Sequence, residues 1–382
     1  MASKKLKIFS GRSGFNTKLE HDKLIDSIFG TIYGNCVGDA IGLLTEFMAK
    51  PEATDWYGHE KELELNMKER LNRQGYRCHQ SRWKTGDWTD DSDQMILILQ
   101  SIIDNKGKVD PTDFAKKMLD WAHHGFPELG DTGGMGIENT TYQVLTHNAF
   151  KGPKPHKAAE AVWKSSGCFL ATNGAVMRTS ILGIHNFDDK ETVVNNTKKI
   201  CKTTHADSRC AASCVAVTSA IAMMLKGDRH RGLNGEVVAG GIIEDAFHEA
   251  KKCLSTNTEI NELHWYMNVE KIDELKLDES AKIGYTYKCL GAAFWAFKQN
   301  DFRQALTTIV REAGDADTNG AVAGALLGCK LGFHKLPKSW TDGLLHKNWL
   351  EAKIKQFLGI KMGSLVKQMT ETTAEQVPDL KK

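Results

Sequence analysis

Two short acidic clusters are the strongest chemical signal in the sequence. One spans residues 87–93 (DWTDDSD), the other spans residues 315–318 (DADT), and each comes just before an apolar segment with helical spacing. Adjacent carboxylates repel each other, so one stays partly protonated unless a cation compensates the charge. Mg²⁺ and Mn²⁺ prefer oxygen ligands, which Asp and Thr side chains supply. If folding brings the clusters together, they offer enough oxygens for two ions that orient a diol or phosphate and activate a water.

Helix capping is the alternative explanation of both clusters. Asp, Ser and Thr are favoured at helix N-termini, where a negative charge also complements the helix dipole. A third candidate, Glu46, lies in the apolar stretch GDAIGLLTEFM, where an unpaired carboxylate is costly to bury. It marks the polar end of a helix, contacts a metal ion or acts as a general base. Composition and spacing leave these alternatives open.

Helical patterns dominate the rest of the sequence. Apolar residues recur at helical spacing over residues 25–48, 91–105 and 111–125, and strict alternation of the kind found in strands is scarce. We therefore predict an all-α fold with little or no sheet. Further predicted helices cover residues 156–166, 208–227, 236–254, 287–297, 301–313 and 319–333.

Glycine, alanine and serine are frequent inside these predicted helices. A glycine in a helix interior costs about 1 kcal/mol relative to alanine, so its repeated use predicts close contact of the backbone with another helix or with a ligand. The polar segment 52–84 and the charged segment 257–282 are predicted to be surface excursions, and residues 1–20 and 370–382 to be loosely ordered tails. No Pro-rich or Ser-rich linker divides the chain, so residues 21–369 are predicted to form one domain.

Charge and cysteine content argue against several classes of function. The 382-residue chain has 50 basic and 48 acidic side chains, a net charge of +2, which gives no electrostatic case for binding nucleic acid or a membrane surface. Nine cysteines without a CxxC pair argue against a disulfide framework or a thiolate zinc site and favour a reducing compartment. No run of eighteen apolar residues and no apolar leader occurs, so we expect a cytoplasmic protein without a membrane span. The oligomeric state cannot be read from these features.

Five segments of the sequence fall in the order and rough spacing of a known family. They are GNCVGDAIGLLTE, DWTDDSDQ, ATNGAVMR, TTHADSR and GDADTNGAVAGALLG. Together, over about residues 22–335, they resemble the ADP-ribosylglycohydrolase family. The resemblance implies a compact orthogonal all-helical bundle with a binuclear Mg²⁺ centre in a cleft, where Mn²⁺ is the alternative ion.

The resemblance also implies roles for individual residues. Glu46 resembles a glutamate near the second ion that acts in acid–base chemistry, and Asp90 and Asp91 join it as candidate catalytic groups. The residues that resemble metal ligands are Thr89, Asp90 and Asp91 for the first ion, Asp315 and Thr318 for the second, and Asp317 as the bridging carboxylate. The residues that resemble substrate contacts are Gly133, Gly134 and Gly136 of a loop against the diphosphate, Asn173 and Gly174, and His205 near the ribose.

The implied function is removal of ADP-ribose from a modified protein, with arginine favoured as the acceptor. Serine-linked ADP-ribose, or an O-linked polymer or metabolite, is the close alternative. A non-catalytic, J1-crystallin-like protein that binds ADP-ribose is a further alternative, and a magnesium phosphohydrolase is another. The chain departs from the family pattern at Ala171-Thr172, where relatives often have Ser-Gly or Tyr-Gly, so the Thr172 hydroxyl replaces the expected phosphate contact or the contact is missing.

Overall fold

The computed structural model describes residues 18–67, 79–227, 230–232 and 235–374 of the chain. In these residues the structure contains α-helices, short 3₁₀ helices and two isolated bridges, and no strand. The prediction of an all-α fold is therefore confirmed. The helices are α1 (Lys18–Gly42), α2 (Lys50–Tyr57), α3 (Asp90–Asp104), α4 (Pro111–His124), α5 (Asn139–Thr146), α6 (His156–Ser165), α7 (Ser180–Ile184), α8 (Lys190–Cys201), α9 (Ser208–Lys226), α10 (Ala239–Ala250), α11 (Asn257–Asn268), α12 (Thr286–Phe297), α13 (Phe302–Glu312), α14 (Ala316–Leu331), α15 (Lys338–Gly343) and α16 (Lys347–Ala374).

Helices α1 and α14 pack backbone against backbone. A Cβ atom added at Gly34 would lie 2.1 Å from the carbonyl oxygen of Gly324, a distance that real side chains do not adopt. The facing pairs are Gly30–Gly328, Gly34–Gly324 and Gly38–Gly320. Because the numbers rise along one helix and fall along the other, the helices are antiparallel. The end of α1 therefore lies beside the start of α14, where the second acidic cluster is located.

We expect Gly34→Ala to destabilise the protein by at least about 2 kcal/mol, because the new methyl group is forced into a backbone carbonyl that cannot rotate away. Urea denaturation followed by circular dichroism measures the change. The matched control is Gly359→Ala in α16, where an added Cβ meets no described atom within 4 Å. That variant should be as stable as the wild type or gain up to about 1 kcal/mol from helix propensity. Equal stability of the two variants would contradict the close contact of α1 and α14.

The remaining helices surround this pair. Helices α12 and α13 pack against α14, while α3 and α7 pack against α1, and α9 lies between α7, α8, α10 and α14. Among the described helices, α9 is the one that is long and apolar enough to cross a membrane by those criteria, but 83% of its apolar window is buried inside the fold. Packing in the core accounts for its composition.

The structure corrects two predicted boundaries near the site. The predicted helix over residues 25–48 ends at Gly42, where its backbone meets the start of α14, and is followed by turns. Apolar spacing continues past the turn and hid this ending. Helix α14 begins at Ala316 rather than at residue 319.

The two predicted surface excursions contain core elements. Trp56 and Tyr57 of α2 are buried, as are Leu263 and Met267 of α11, because each charged stretch includes apolar residues at helical spacing. Residues 68–78 of the first excursion lie outside the described residues. The same is true of residues 1–17 and 375–382 of the predicted tails, while α16 continues to Ala374.

Candidate active site

The two acidic clusters meet where α1 ends and where α3 and α14 begin. Thr89 is the N-cap of α3, and its Oγ1 lies 3.4 Å from the backbone nitrogen of Asp91. The same hydroxyl lies 3.1 Å from Asp91 Oδ2 and 3.5 Å from Asp317 Oδ2, so it joins both clusters. Asp315 occupies the N-cap position of α14 but accepts no capping hydrogen bond from the described backbone. Capping therefore accounts for part of the first cluster and does not account for the second.

Three carboxylate oxygens in this pocket are buried and accept no hydrogen bond from the described residues: Asp91 Oδ1, Asp317 Oδ1 and Glu46 Oε2, the last of which lies 3.2 Å from His79 Nε2. Glu46, Asp315 and Asp317 each direct one oxygen into a group whose members lie within 4.8 Å of one another. A buried acceptor without a donor is costly. Cations that prefer oxygen ligands relieve this cost, so the donor set fits Mg²⁺ or Mn²⁺.

Burial and mutual repulsion control the protonation of these carboxyls. Burial raises the pKa of Asp90, Asp91 and Asp317 well above its usual value, and the charges of neighbouring carboxylates raise it further. Burial also raises the pKa of Asp315 to about 6, against the opposing effect of a hydrogen bond from Asn173. Without a counter-charge the pocket therefore favours protons, and a bound divalent cation would favour the ionised form.

Asp39 is a structural carboxylate that the sequence analysis missed. One of its oxygens accepts the backbone N–H of Thr89 at 3.0 Å, and the other accepts the N–H and the hydroxyl of Ser92 at 3.0 and 2.6 Å. Burial raises its pKa to about 7 despite these hydrogen bonds. Asp39 attaches the first turn of α3 to α1, and its only sequence signal is an aspartate within the apolar GDAIG segment.

Asp90 is held from two sides. Its Oδ2 accepts a 2.8 Å hydrogen bond from the Gln94 amide, and a Cβ at Gly136 would lie 2.5 Å from its Oδ1. The fully buried Arg178 donates to Gln94 Oε1 at 2.7 Å and to Thr204 Oγ1 at 2.6 Å. Gly136 is thus required for close approach to Asp90, and Gln94 and Arg178 position this carboxylate. Arg178 belongs to the segment ATNGAVMR, from which the sequence alone predicts no role for it.

His205 lies in the same polar network. Its Nδ1 is 2.8 Å from Thr204 Oγ1, and its Nε2 is 2.9 Å from Thr172 Oγ1 and 3.2 Å from Glu138 Oε1. Burial alone would raise the pKa of Glu138, but the hydrogen bond and charge of His205, with the N–H of Thr140, lower it to about 2. Because the His205 side chain is fully buried and both ring nitrogens have protein partners, its predicted contact with ribose stays a prediction.

The other predicted substrate residues lie around the acidic pocket. Asn173 is buried and donates to Asp315 Oδ2 at 2.6 Å, so it orients a predicted metal ligand. Gly174 packs against Glu138 and His205. Gly133 and Gly134 line a neighbouring cavity of about 350 Å³ with Trp83, Trp88, Asp93 and His346, among others. Their predicted contact with a diphosphate stays a prediction, as does replacement of the missing serine by Thr172.

Comparison with known proteins supplies the context for this pocket. The sequence matches the ADP-ribosylglycohydrolase family over residues 20–373. Over 331 residues it is 24% identical to the ADP-ribosylarginine hydrolase Tri1 of Serratia proteamaculans, and the alignment covers 85% of this chain and 76% of the relative. It is 26% identical over 323 residues to an ADP-ribosyl-dinitrogen reductase glycohydrolase of Rhodospirillum rubrum, with coverages of 84% and 90%. A solved ADP-ribosylglycohydrolase-related protein complex has the same fold, with a TM-score of 0.59, 22% identity and coverage of 89% of this chain and 99% of that one.

An all-helical fold with a buried carboxylate pocket at three helix ends thus defines the class of protein. The chain belongs to the ADP-ribosylglycohydrolase family, because the match extends over nearly its whole length. The predicted family and fold are confirmed.

Proposed function

We propose that the protein is a divalent-metal-dependent hydrolase that removes ADP-ribose from arginine side chains of proteins. The observation that carries this proposal is the group of three buried carboxylate oxygens that accept no hydrogen bond in the described structure. Two relatives named for ADP-ribosyl hydrolysis support the reaction class, and one of them is named for arginine. The expected metal is Mg²⁺ at two positions, with Mn²⁺ as a substitute, and the expected location is the cytoplasm.

The residues of the pocket suit cleavage of an N-glycosidic bond. Water adds to the anomeric carbon, the bond from this carbon to the guanidine nitrogen breaks, and a proton is transferred to that nitrogen. Carboxylates around the anomeric carbon stabilise the positive charge that develops on the sugar in the transition state. Bound divalent ions would supply Lewis acidity and fix the ribose hydroxyls. Glu46 is the candidate for proton transfer, because its Oε2 is buried and accepts no hydrogen bond from the described residues.

Serine-linked ADP-ribose is the second candidate substrate, because the same carboxylates suit an O-glycosidic bond. A non-catalytic ADP-ribose-binding protein is less well supported. All six predicted metal ligands are present on the two helix ends that meet in the pocket, which argues against a site that has lost its metal.

The test is release of ADP-ribose from peptides that carry it on arginine or on serine, with Mg²⁺ or with EDTA, followed by mass spectrometry. We expect release from the arginine peptide with Mg²⁺, recovery of the unmodified peptide, and no release with EDTA. Release that continues in EDTA would contradict metal dependence. Release from the serine peptide alone would replace the acceptor, and binding of ADP-ribose without release from either would favour the non-catalytic alternative.

A further inference from the structure

Phe47, next to Glu46, combines an exposed ring with an unfavourable backbone. Its φ is 61°, in the left-handed region, and 57% of its surface is exposed. A bulky residue in this region is an outlier, and such strain concentrates at functional sites. Two backbone hydrogen bonds hold it there: Phe47 N–H donates to Gly314 O at 2.7 Å, and Gly314 N–H donates to Met48 O at 3.0 Å. The strained residue is thereby fixed beside Asp315.

The ring of His79 contacts both the Phe47 ring and the Glu46 carboxylate. The rings of Phe47 and His79 are in edge contact, with centroids 4.8 Å apart and an interplanar angle of 78°. His79 Nε2 lies 3.2 Å from Glu46 Oε2, which accepts no hydrogen bond from the described part of the chain. His79 begins the 3₁₀ helix His79–Arg82, and its ring also contacts Trp83 at 5.1 Å. An exposed aromatic ring and the Glu46 carboxylate, both in contact with His79, therefore lie at one edge of the acidic pocket.

This pair of groups has the chemistry that a guanidinium ion requires. A planar cation is attracted to an aromatic face and donates hydrogen bonds to a carboxylate in its own plane. A guanidinium–aromatic contact already occurs nearby, where the exposed Arg82 guanidinium lies 5.2 Å from the centroid of the Trp83 ring. A serine hydroxyl has no charge or π surface for such a site, and a neutral adenine does not compensate a carboxylate.

We propose that Phe47 and Glu46 form the acceptor subsite, in which the guanidinium of the modified arginine stacks on the Phe47 ring and pairs with the Glu46 carboxylate. This inference rests on the proposed function and specifies its acceptor. The pairing also places the carboxylate beside the guanidine nitrogen that has to gain a proton when the glycosidic bond breaks. The strained backbone is then the conformation that presents the ring to the substrate.

Three variants of Phe47 test the subsite with an ADP-ribosylated arginine peptide. In Phe47→Gly and Phe47→Leu we expect KM to rise about 3- to 30-fold, which corresponds to the range of cation–π contributions. Phe47→Tyr keeps a π face and should keep KM near the wild-type value. The affinity for free ADP-ribose, measured by calorimetry, should stay unchanged in all three, because free ADP-ribose lacks the acceptor. Glycine is favoured at positive φ, so the melting temperature of Phe47→Gly should not fall.

Three results would overturn the subsite. They are an unchanged KM in both Phe47→Gly and Phe47→Leu, an equal loss of affinity for free ADP-ribose, and failure of Phe47→Tyr to restore KM. The second result would place the ring against the nucleotide instead. If the wild-type protein releases no ADP-ribose from the arginine peptide, the proposed function fails separately. Titration of the uncleaved peptide into wild-type and Phe47→Gly protein then still decides whether the ring binds the acceptor.

Discussion

Replacing Asp317 by Asn should stabilise the metal-free protein and at the same time abolish its response to metal. Asp317 Oδ1 is buried without a donor from the described residues, and burial, with the charges of Glu46 and Asp91, raises the pKa of this carboxyl well above its usual value. An ionised Asp317 therefore destabilises the metal-free fold at neutral pH, and a neutral amide of the same shape removes that cost. The variant also removes the predicted bridging ligand. We therefore expect the affinity for Mn²⁺ to fall by more than about 100-fold, which exceeds the loss expected when a residue that only hydrogen-bonds to a metal ligand is removed.

The measurement is the melting temperature in EDTA and across a Mn²⁺ titration. The wild type should be less stable than Asp317→Asn in EDTA and should gain stability with Mn²⁺, because a ligand that binds only the folded state stabilises it. Lowering the pH from 8 to 6 should also stabilise the wild type in EDTA. In the folded protein the pKa of Asp315 is raised to about 6 and that of Asp39 to about 7. As the pH falls to 6, these carboxyls therefore bind protons in the folded state that the unfolded chain does not bind. A Mn²⁺ response of wild-type size in Asp317→Asn would contradict the binuclear site.

Asp93→Asn is the matched control on the same acidic segment. Asp93 accepts hydrogen bonds from the indole N–H groups of Trp88 at 2.8 Å and Trp121 at 2.9 Å, one on each carboxylate oxygen. Asparagine has only one oxygen, so this variant should lose stability and keep its response to Mn²⁺. The two variants should therefore change stability in opposite directions, and only Asp317→Asn should lose the Mn²⁺ response, which a general effect of removing a negative charge does not explain.

The acidic clusters were predictable from the sequence because several charged residues stand together at the start of apolar helices. That signal is local, and so is the frequency of glycine in the predicted helices, which predicted close contact of the backbone with another helix or a ligand. The structure shows such a contact between α1 and α14. Asp39 gave no comparable signal. It is a single charged residue in an apolar stretch, and its partners lie on another element.

Backbone conformation set a further limit on what could be predicted. Helix α1 ends at Gly42, where its backbone is in contact with the start of α14, whereas the apolar spacing continues through Leu43 and Leu44 to Met48. The positive φ of Phe47 depends on hydrogen bonds to Gly314, which is far away in the chain. Neither contact has a signature within its own segment. The spacing of the hydrophobic residues therefore predicted which residues are helical more reliably than it predicted where the chain turns. The turn after α1 lies at the candidate active site, so this part of the site was the harder one to predict.

Glu46→Gln should slow hydrolysis by about 10²–10³-fold while the protein stays folded, as expected when a general acid–base group is lost. Glutamine keeps the shape of the side chain and can still accept one hydrogen bond, but it cannot transfer a proton at neutral pH. We expect kcat to fall more than KM rises. Stopped-time assays of ADP-ribose release over a range of substrate concentrations measure both constants.

The control for Glu46→Gln is Glu249→Gln, a glutamate of similar burial on α10 that pairs with Lys190 and Lys252 at 2.6 Å. This variant should lose surface ion pairs worth about 1 kcal/mol or less and keep its rate. Affinity for Mn²⁺ separates the two remaining roles of Glu46. If Glu46→Gln binds Mn²⁺ with wild-type affinity and is slow, the carboxylate transfers a proton. If the affinity for Mn²⁺ and the rate fall together, Glu46 acts as a metal ligand, as its place in the group with Asp315 and Asp317 allows. A wild-type rate in Glu46→Gln would show that the role of Glu46 is structural.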